Sequence, residues 1–264
     1  MVLSLSGQMS VRILQLTDCH LMADPRAELK GICTRERFAG VLSDIATHHA
    51  DVDLLVVSGD LTHDERPETY VAIREMLAEW LPRLRVIPGN HDDREPLRQT
   101  FRDQIQQHAE RLVFVHDLGG WRLIGLDSHR PGELSGELGA EQLAWLDEQL
   151  GSEPLRPTGL FVHHPPISVN SVWLDRIGLI DADSLLTVLR RHAQVRFVSC
   201  GHVHQERSAV IGSIQILTTP STGVQFRPET AALEVDVAEP GYRVFSLLPD
   251  GQFQSWVERV GTTE

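Results

Sequence analysis

The sequence predicts an α/β fold with its sheets inside and its helices outside. Three observations carry that expectation. Short apolar runs alternate with helical stripes up to about residue 201. Strands alone follow it. Five of the earlier runs end in Asp, Asn or His, and an α/β sheet binds its ligands at the carboxyl ends of its strands. Taken in order, 11–16 (VRILQL), 52–58 (VDLLVVS), 84–88 (LRVIP), 121–127 (WRLIGLD), 159–163 (GLFVH) and 195–200 (VRFVSC) read as strands bounded by turn or polar residues. Phe38, Val41, Leu42 and Ile45 fall at i, i+3, i+4, i+7, the stripe of an amphipathic helix. Tyr70, Ile73, Leu77 and Trp80 make a second stripe, with Pro67 just inside its start, where a missing N–H costs little. Leu143, Leu146 and Leu150 mark a third helix, and Leu185, Leu186 and Leu189 a fourth. Beyond residue 201, 214–219, 232–237, 243–248 and 252–257 read as strands. With no linker or repeat, the 264 residues read as one domain with its core over about 11–257. The long connections 19–33 and 164–181 have the length of binding loops.

The net charge of −13 argues against a nucleic-acid partner, because no basic footprint is available. It leaves a small anionic substrate open, provided metal ions supply the local positive charge. Cys19, Cys33 and Cys200 form no CxxC pair, so neither a disulfide framework nor a cysteine zinc site is expected. No apolar run approaches the roughly 20 residues of a membrane span. The first ten residues lack a basic segment before an apolar one. The expectation is a soluble cytoplasmic protein with no membrane partner.

Thirteen histidines need placing. The strand ends read Asp18-Cys19-His20, Gly59-Asp60, Gly89-Asn90-His91-Asp92, His163-His164 and Gly201-His202-Val203-His204. On an extended chain, residues two apart share a side, so D-x-H and H-x-H would each project a pair into one site. Asp18, His20, Asp60, Asn90, His163, His202 and His204 exceed the needs of one four-coordinate ion and suit two ions sharing a carboxylate. Imidazole and oxygen without thiolate suit Fe, Mn, Zn or Co. His48, His49, His108, His116, His129 and His192 lack such settings and read as surface residues; Cys19, Cys33 and Cys200 read as packing or loop residues.

These five blocks, in this order, resemble the calcineurin-like metallophosphoesterase superfamily, whose motifs run D-x-H, GD, GNH[DE], H and GHxH. RILQLTDCHL at 12–21, GELS and QLAWL within 132–146, HHPP at 163–166, WLD at 173–175 and TPSTGVQFRP at 219–228 are similar to its class III cyclic-nucleotide phosphodiesterases, above all the bacterial cyclic-AMP enzymes. The resemblance implies a metallophosphoesterase sandwich of two mixed β-sheets flanked by helices. It implies two divalent or trivalent ions, Fe and Mn foremost, with Zn or Co as alternatives. Asp18, His20, Asp60 and His204 would hold one ion; Asp60, Asn90, His163 and His202 would hold the other. It further implies a hydroxide bridging the ions, with cyclic AMP hydrolysed to 5′-AMP and cyclic-AMP signalling lowered. His91 would be catalytic, facing the scissile phosphate with His20, Asn90 and His204 beside it. Trp173, Phe226 and Arg227 are expected as base or phosphate contacts. One position departs: many relatives carry GDxxD, and here His63 stands in the place of the second acid, with Asp64 one residue later. Either Asp64 or Asp92 orients His91, or His91 works without a carboxylate. Cyclic GMP as substrate, and a monomer or a homodimer, stay open. Two rival readings remain: a metallophosphodiesterase for another small phosphodiester or nucleotide, and a catalytically silent binding scaffold.

Overall fold

The computed structural model of the protein describes residues 2–3 and 9–261. Its strands and helices run β1 (Met9–Leu16), α1 (Thr34–His48), β2 (Leu54–Ser58), α2 (Pro67–Met76), β3 (Leu84–Ile87) and α3 (Arg94–Thr100). They continue as β4 (Arg111–Leu118), β5 (Trp121–Leu126), α4 (Gly139–Ser152), β6 (Thr158–Val162), α5 (Ala182–Leu189) and β7 (Val195–Cys200). The chain closes with β8 (Arg207–Ile211), β9 (Ile214–Thr218), β10 (Gly241–Leu247) and β11 (Phe253–Arg259). One sheet has the order β11-β10-β1-β2-β3, and the other β8-β9-β7-β6-β5-β4 with Gln106–His108 at its edge. Both are mixed. β1, β2 and β3 are parallel, while β10 is antiparallel to β1. β9, β7, β6 and β5 are parallel, while β8 and β4 close the two sides antiparallel.

Alternation along the strands explains the layering. In β2, Leu54 and Val56 enter the core shared with Ile13, Phe114, Trp121, Phe161, Phe197 and Phe245, between the sheets. Their neighbours Leu55 and Val57 face the helix layer, packing with Phe38, Val41, Ile45, Tyr70 and Ile73. On the far side, Ile124, Leu160 and Val198 pack against Leu143, Leu146, Leu150, Leu185 and Leu189 of α4 and α5. The order is therefore helix, sheet, sheet, helix. The central aromatic rings interlock, with Phe197 stacked on Phe245 at 4.7 Å and edge-on to Phe161 at 5.8 Å.

Four expectations change. The second stripe is not one α-helix: α2 ends at Met76 and Trp80 lies in the 3-10 segment Ala78–Arg83. Pro82 accounts for this, because its ring opposes an α-helical carbonyl four residues earlier. The 232–237 strand shrinks to Val235–Asp236, paired only with Gln225–Phe226, because Leu233, Val235 and Val237 find no sheet to cover and stay exposed. His49 and His129 are buried rather than on the surface; His49 reaches Glu258 at 3.0 Å and packs edge-on against Tyr242. Strands β4 and β8 were not foreseen. Each is half of a hairpin turned by glycines at positive φ, Gly119-Gly120 before β5 and Gly212 before β9. A Gly-Gly pair between apolar runs is the signal that finds such a hairpin.

Candidate metal centre

The carboxyl ends of β1, β2, β3, β6 and β7 converge, and they bring together all seven donors read from the sequence. Asp18, His20, Asp60, Asn90, His163, His202 and His204 are all buried. The local backbone is not extended, as the spacing argument assumed. Asp18, His20, Asp60, His202 and His204 have φ of 55°, 46°, 51°, 68° and 51°, in the left-handed region. Cys19 does point away, into the core under the first sheet. Backbone bonds hold these turns: Asp18 N–H donates to Gly59 O (3.0 Å), His20 N–H to Asp60 O (2.9 Å), and His202 N–H to the Asp18 carboxylate (3.0 Å). The glycines of two motifs follow from close approach. A Cβ at Gly89 would strike the Asp60 backbone and carboxylate, and one at Gly201 would strike Thr17 and Asp18.

Within the cluster, His204 Nε2 lies 3.2 Å from Asp18 Oδ1 and 3.2 Å from His20 Nε2. Asp60 Oδ2 lies 3.5 Å from His20 Nε2 and 3.3 Å from His163 Nε2, between the two halves, while Asp60 Oδ1 accepts from His91 N–H at 2.8 Å. His202 Nδ1 is 2.9 Å from Asn90 Oδ1. Outer nitrogens are tied down, with His163 Nδ1 2.9 Å from Ser58 O and His204 Nδ1 2.7 Å from Val224 O. Such backbone partners fix the tautomer that leaves Nε2 bare for a ligand. The buried Nε2 atoms of His163 and His202 have no hydrogen-bond partner, a costly state unless a cation fills it. Burial opposes ionisation of Asp60 and Asp18, yet His163 beside Asp60, and His204 and His163 beside Asp18, hold both carboxyls below their usual range. Burial first, and then the neighbouring His163, push His202 down to about 3, so its imidazole is neutral and available. Two buried carboxylates, an amide oxygen and four imidazoles fit oxygen- and nitrogen-binding cations.

Neither candidate acid reaches the His91 ring. Asp92 accepts from the N–H groups of Gly89 (2.9 Å), Leu61 (3.2 Å) and Thr62 (3.3 Å) and from the Tyr70 hydroxyl (3.2 Å), clamping the β2 and β3 ends together. Asp64 accepts from Ala23 N–H (2.7 Å) and the Thr69 hydroxyl (2.8 Å). The groups beside the His91 ring are His63 and His20, with ring centroids 4.9 Å and 5.1 Å away. His164 lies close to His163 and His202, but both its nitrogens are engaged, by the Ser128 hydroxyl (2.7 Å) and Leu134 O (3.0 Å), so it braces the His202 ring at 4.5 Å. Its role left no sequence signal beyond the doubled His.

A cleft of about 210 Å³ opens over the donors, lined besides them by His63, His91 and Lys30 and by the apolar Leu29, Leu134, Trp173, Leu174, Ile177, Phe226 and Leu233. Phe226 stacks on His204 at 4.1 Å, and Trp173 stands edge-on to Phe226 at 5.1 Å. Arg227, expected as a contact, does not line the cleft; it pairs with Glu234 at 3.1 Å in solvent. Lys30, Leu134 and Leu233 were not singled out, although Lys30 lies in the 19–33 connection read as a binding loop and Leu134 in the GELS segment. Among the described residues no helix is long and apolar enough to cross a membrane.

Comparison with known proteins gives a consistent result. The family model for calcineurin-like phosphoesterases matches residues 11–206. The chain is 36% identical over 263 residues to 3′,5′-cyclic adenosine monophosphate phosphodiesterase CpdA of Escherichia coli (strain K12), covering 100% of this chain and 94% of that one. It is 38% identical over 259 residues to a probable cyclic nucleotide phosphodiesterase of Synechococcus sp., covering 96% and 94%. Among solved structures, a dimetal phosphatase from Danio rerio superposes with a TM-score of 0.64 at 15% identity, covering 95% of this chain and 99% of that one, a likeness of fold. With the donor-bearing strand ends from Asp18 to His204 inside the matched region, the chain belongs to the calcineurin-like phosphoesterase family.

Proposed function

We propose that this chain hydrolyses 3′,5′-cyclic AMP to 5′-AMP and so lowers cyclic-AMP signalling. Full-length similarity to relatives named as cyclic-AMP phosphodiesterases carries the reading. The cleft supports it, because its imidazoles and Lys30 suit a phosphate while Trp173, Phe226 and Leu233 suit a base and sugar. Asp18, His20, Asp60 and His204 would hold one ion and Asp60, Asn90, His163 and His202 the other. The place of Asp60 Oδ2 between His20 and His163 supports its bridging role. When bound, two such ions supply Lewis acidity toward the phosphoryl oxygens and lower the pKa of water. Fe and Mn are the first candidates, then Zn and Co.

His91 is the catalytic residue of this reading. Its backbone is fixed by Asp60 and its ring stands beside His20 and His63 at the cleft floor. Water adds to phosphorus and gives up one proton to solvent, the P–O3′ bond breaks, and the His91 ring gives a proton to O3′, so that the sugar leaves as a hydroxyl and the ring regains its proton from solvent. His20, Asn90 and His204 border the same phosphate position. The reading takes 1–264 as a single domain acting in the cytoplasm on a small molecule, as a monomer or a homodimer.

The test is initial rates on cyclic AMP after chelation and re-addition of Mn or Fe, with products separated by chromatography. Metal-dependent release of 5′-AMP as the sole product is the expected result. An activated phosphodiester cleaved while cyclic AMP stays intact would overturn the substrate and keep the reaction class. Both left intact, with metal bound, would point to a silent scaffold.

A further inference from the structure

Lys30 is the only lysine among the 24 Lys and Arg residues of the chain. It occupies the tip of a small hairpin in which Leu29 pairs with Ile32 and Glu28 with Cys33. Lys30 and Gly31 form the two-residue turn, with φ of 53° and 79°. Two successive positive φ values define the turn that follows the twist of a hairpin, and its first position favours Asn, Asp or Gly. A lysine there carries a backbone penalty of about 1 kcal/mol, so local turn chemistry does not explain the choice. Its placement does: Lys30 lines the cleft beside His63 and His91, and it is the one permanent cation among the lining residues. Among the described residues it makes no salt bridge or hydrogen bond, in a chain with net charge −13. Its charge also acts on His63, adding to the burial that lowers that imidazole. A long, unpartnered ammonium over a phosphate-binding cleft is a compact point charge on a flexible stem.

We propose that Lys30 is a specificity residue whose ammonium grips the phosphoryl group of the bound nucleotide from the hairpin side of the cleft. This rests on the phosphodiesterase reading. A point charge favours the dianionic monoester product over the monoanionic cyclic diester, so Lys30 tightens 5′-AMP more than cyclic AMP and sets the strength of product inhibition.

Having a single lysine makes the test direct. The metal-loaded protein is treated with an amine-acetylating ester, with and without 5′-AMP or inorganic phosphate, and acetylation of the Lys30 peptide is quantified by mass spectrometry. Slower acetylation of Lys30 under either anion, with the α-amino group unaffected, is the expected result. In parallel, Lys30→Met and Lys30→Arg are compared after melting temperature and metal content are matched to the parent. Lys30→Met should raise KM roughly three- to tenfold with little change in kcat, the size of a partly solvated charged hydrogen bond. It should raise the inhibition constant of 5′-AMP further, and Lys30→Arg should restore most of both. Unprotected Lys30 together with unchanged KM and product inhibition would overturn the proposal. If cyclic AMP itself is not cleaved, the same comparisons on bis(4-nitrophenyl) phosphate, with phosphate as protectant, judge Lys30 separately from the choice of substrate.

Discussion

Two glycine-to-alanine substitutions in this chain should have opposite signs, and the structure says why. At Gly89 the added methyl would lie 2.5 Å from Asp60 N and 2.9 Å from Asp60 Cγ. Ordinary contact is 3.4–4 Å, so these atoms must retreat by about 1 Å. They belong to a backbone and to a carboxylate engaged on both oxygens, near His91 N–H on one side and His20 and His163 on the other, so no flexible chain end absorbs the shift. Overpacking of this kind costs about 1–3 kcal/mol in stability, and an ångström of displacement at reacting groups costs about 100-fold in rate. At Gly40, on the exposed side of α1, a methyl would meet nothing within 4 Å. There the same change should stabilise by about 0.5–1 kcal/mol through helix propensity and leave turnover unchanged. The assay is chemical denaturation of both variants, with metal content and kcat on the preferred diester. Gly89→Ala keeping parental kcat and metal content would refute the argument that the glycine is required by contact with Asp60.

Asp92→Asn should cost about 1–3 kcal/mol and lower activity without touching substrate, because an amide replaces one acceptor oxygen facing the N–H groups of Gly89, Leu61 and Thr62; parental stability would show the clamp is dispensable. His91→Ala should lower kcat by about 100- to 10,000-fold, the usual worth of a general acid, with both metals retained by elemental analysis; lost metal would make His91 structural. Asp60→Asn should remove metal and activity together, and an active variant with full metal content would contradict the shared-ligand role. His129 gives a pH test. Burial first, and then the Arg94 charge, push its imidazole down from 6.5 to about 4. The folded value lies below the unfolded one, so protons favour unfolding, and stability falls as pH drops from about 6.5 toward 4. In chelated protein, His129→Asn should flatten the melting-temperature loss over that window, and an unchanged slope would exclude His129 as its source.

The parts of this fold that the sequence makes legible are those in which one face is buried. Phe38, Val41, Leu42 and Ile45 keep helical spacing because α1 covers a single sheet, and all four are buried. Strands such as 54–58 read as unbroken apolar runs because both faces are covered, one by the second sheet and one by helices. Legibility fails where apolar residues lack that partner. Leu233, Val235 and Val237 alternate as a strand would, yet they lie in the open. It fails again where polar burial rests on distant partners: His49 is buried because Tyr242 and Glu258 come from the far end of the chain, which no local window contains. The donor set was legible because its residue types are costly to bury unless something binds them. Lys30 was not, because its importance lies in which cleft the hairpin tip overhangs.

The spacing of the motifs has a different cause from the one the sequence suggests. Period-two alternation would put Asp18 and His20 on one side of a strand, but both have left the strand and sit in left-handed conformation, as do His202 and His204. Left-handed backbone costs a non-glycine residue about 1–2 kcal/mol, and glycine would remove that cost at each position. It persists at five donors, Asp60 included, while glycine is kept beside them at 59, 89 and 201, where closely approaching neighbours leave no room for a side chain. The division follows function: glycine stands where neighbouring atoms press against the backbone, and the strain is carried where a side chain must reach the centre. The backbone bonds from Asp18 to Gly59 and from His20 to Asp60, and the bond from His202 to the Asp18 carboxylate, tie each strained turn to its neighbour. The first and last motifs, 184 residues apart in the chain, are thus joined directly by a hydrogen bond from the His202 backbone to the Asp18 carboxylate.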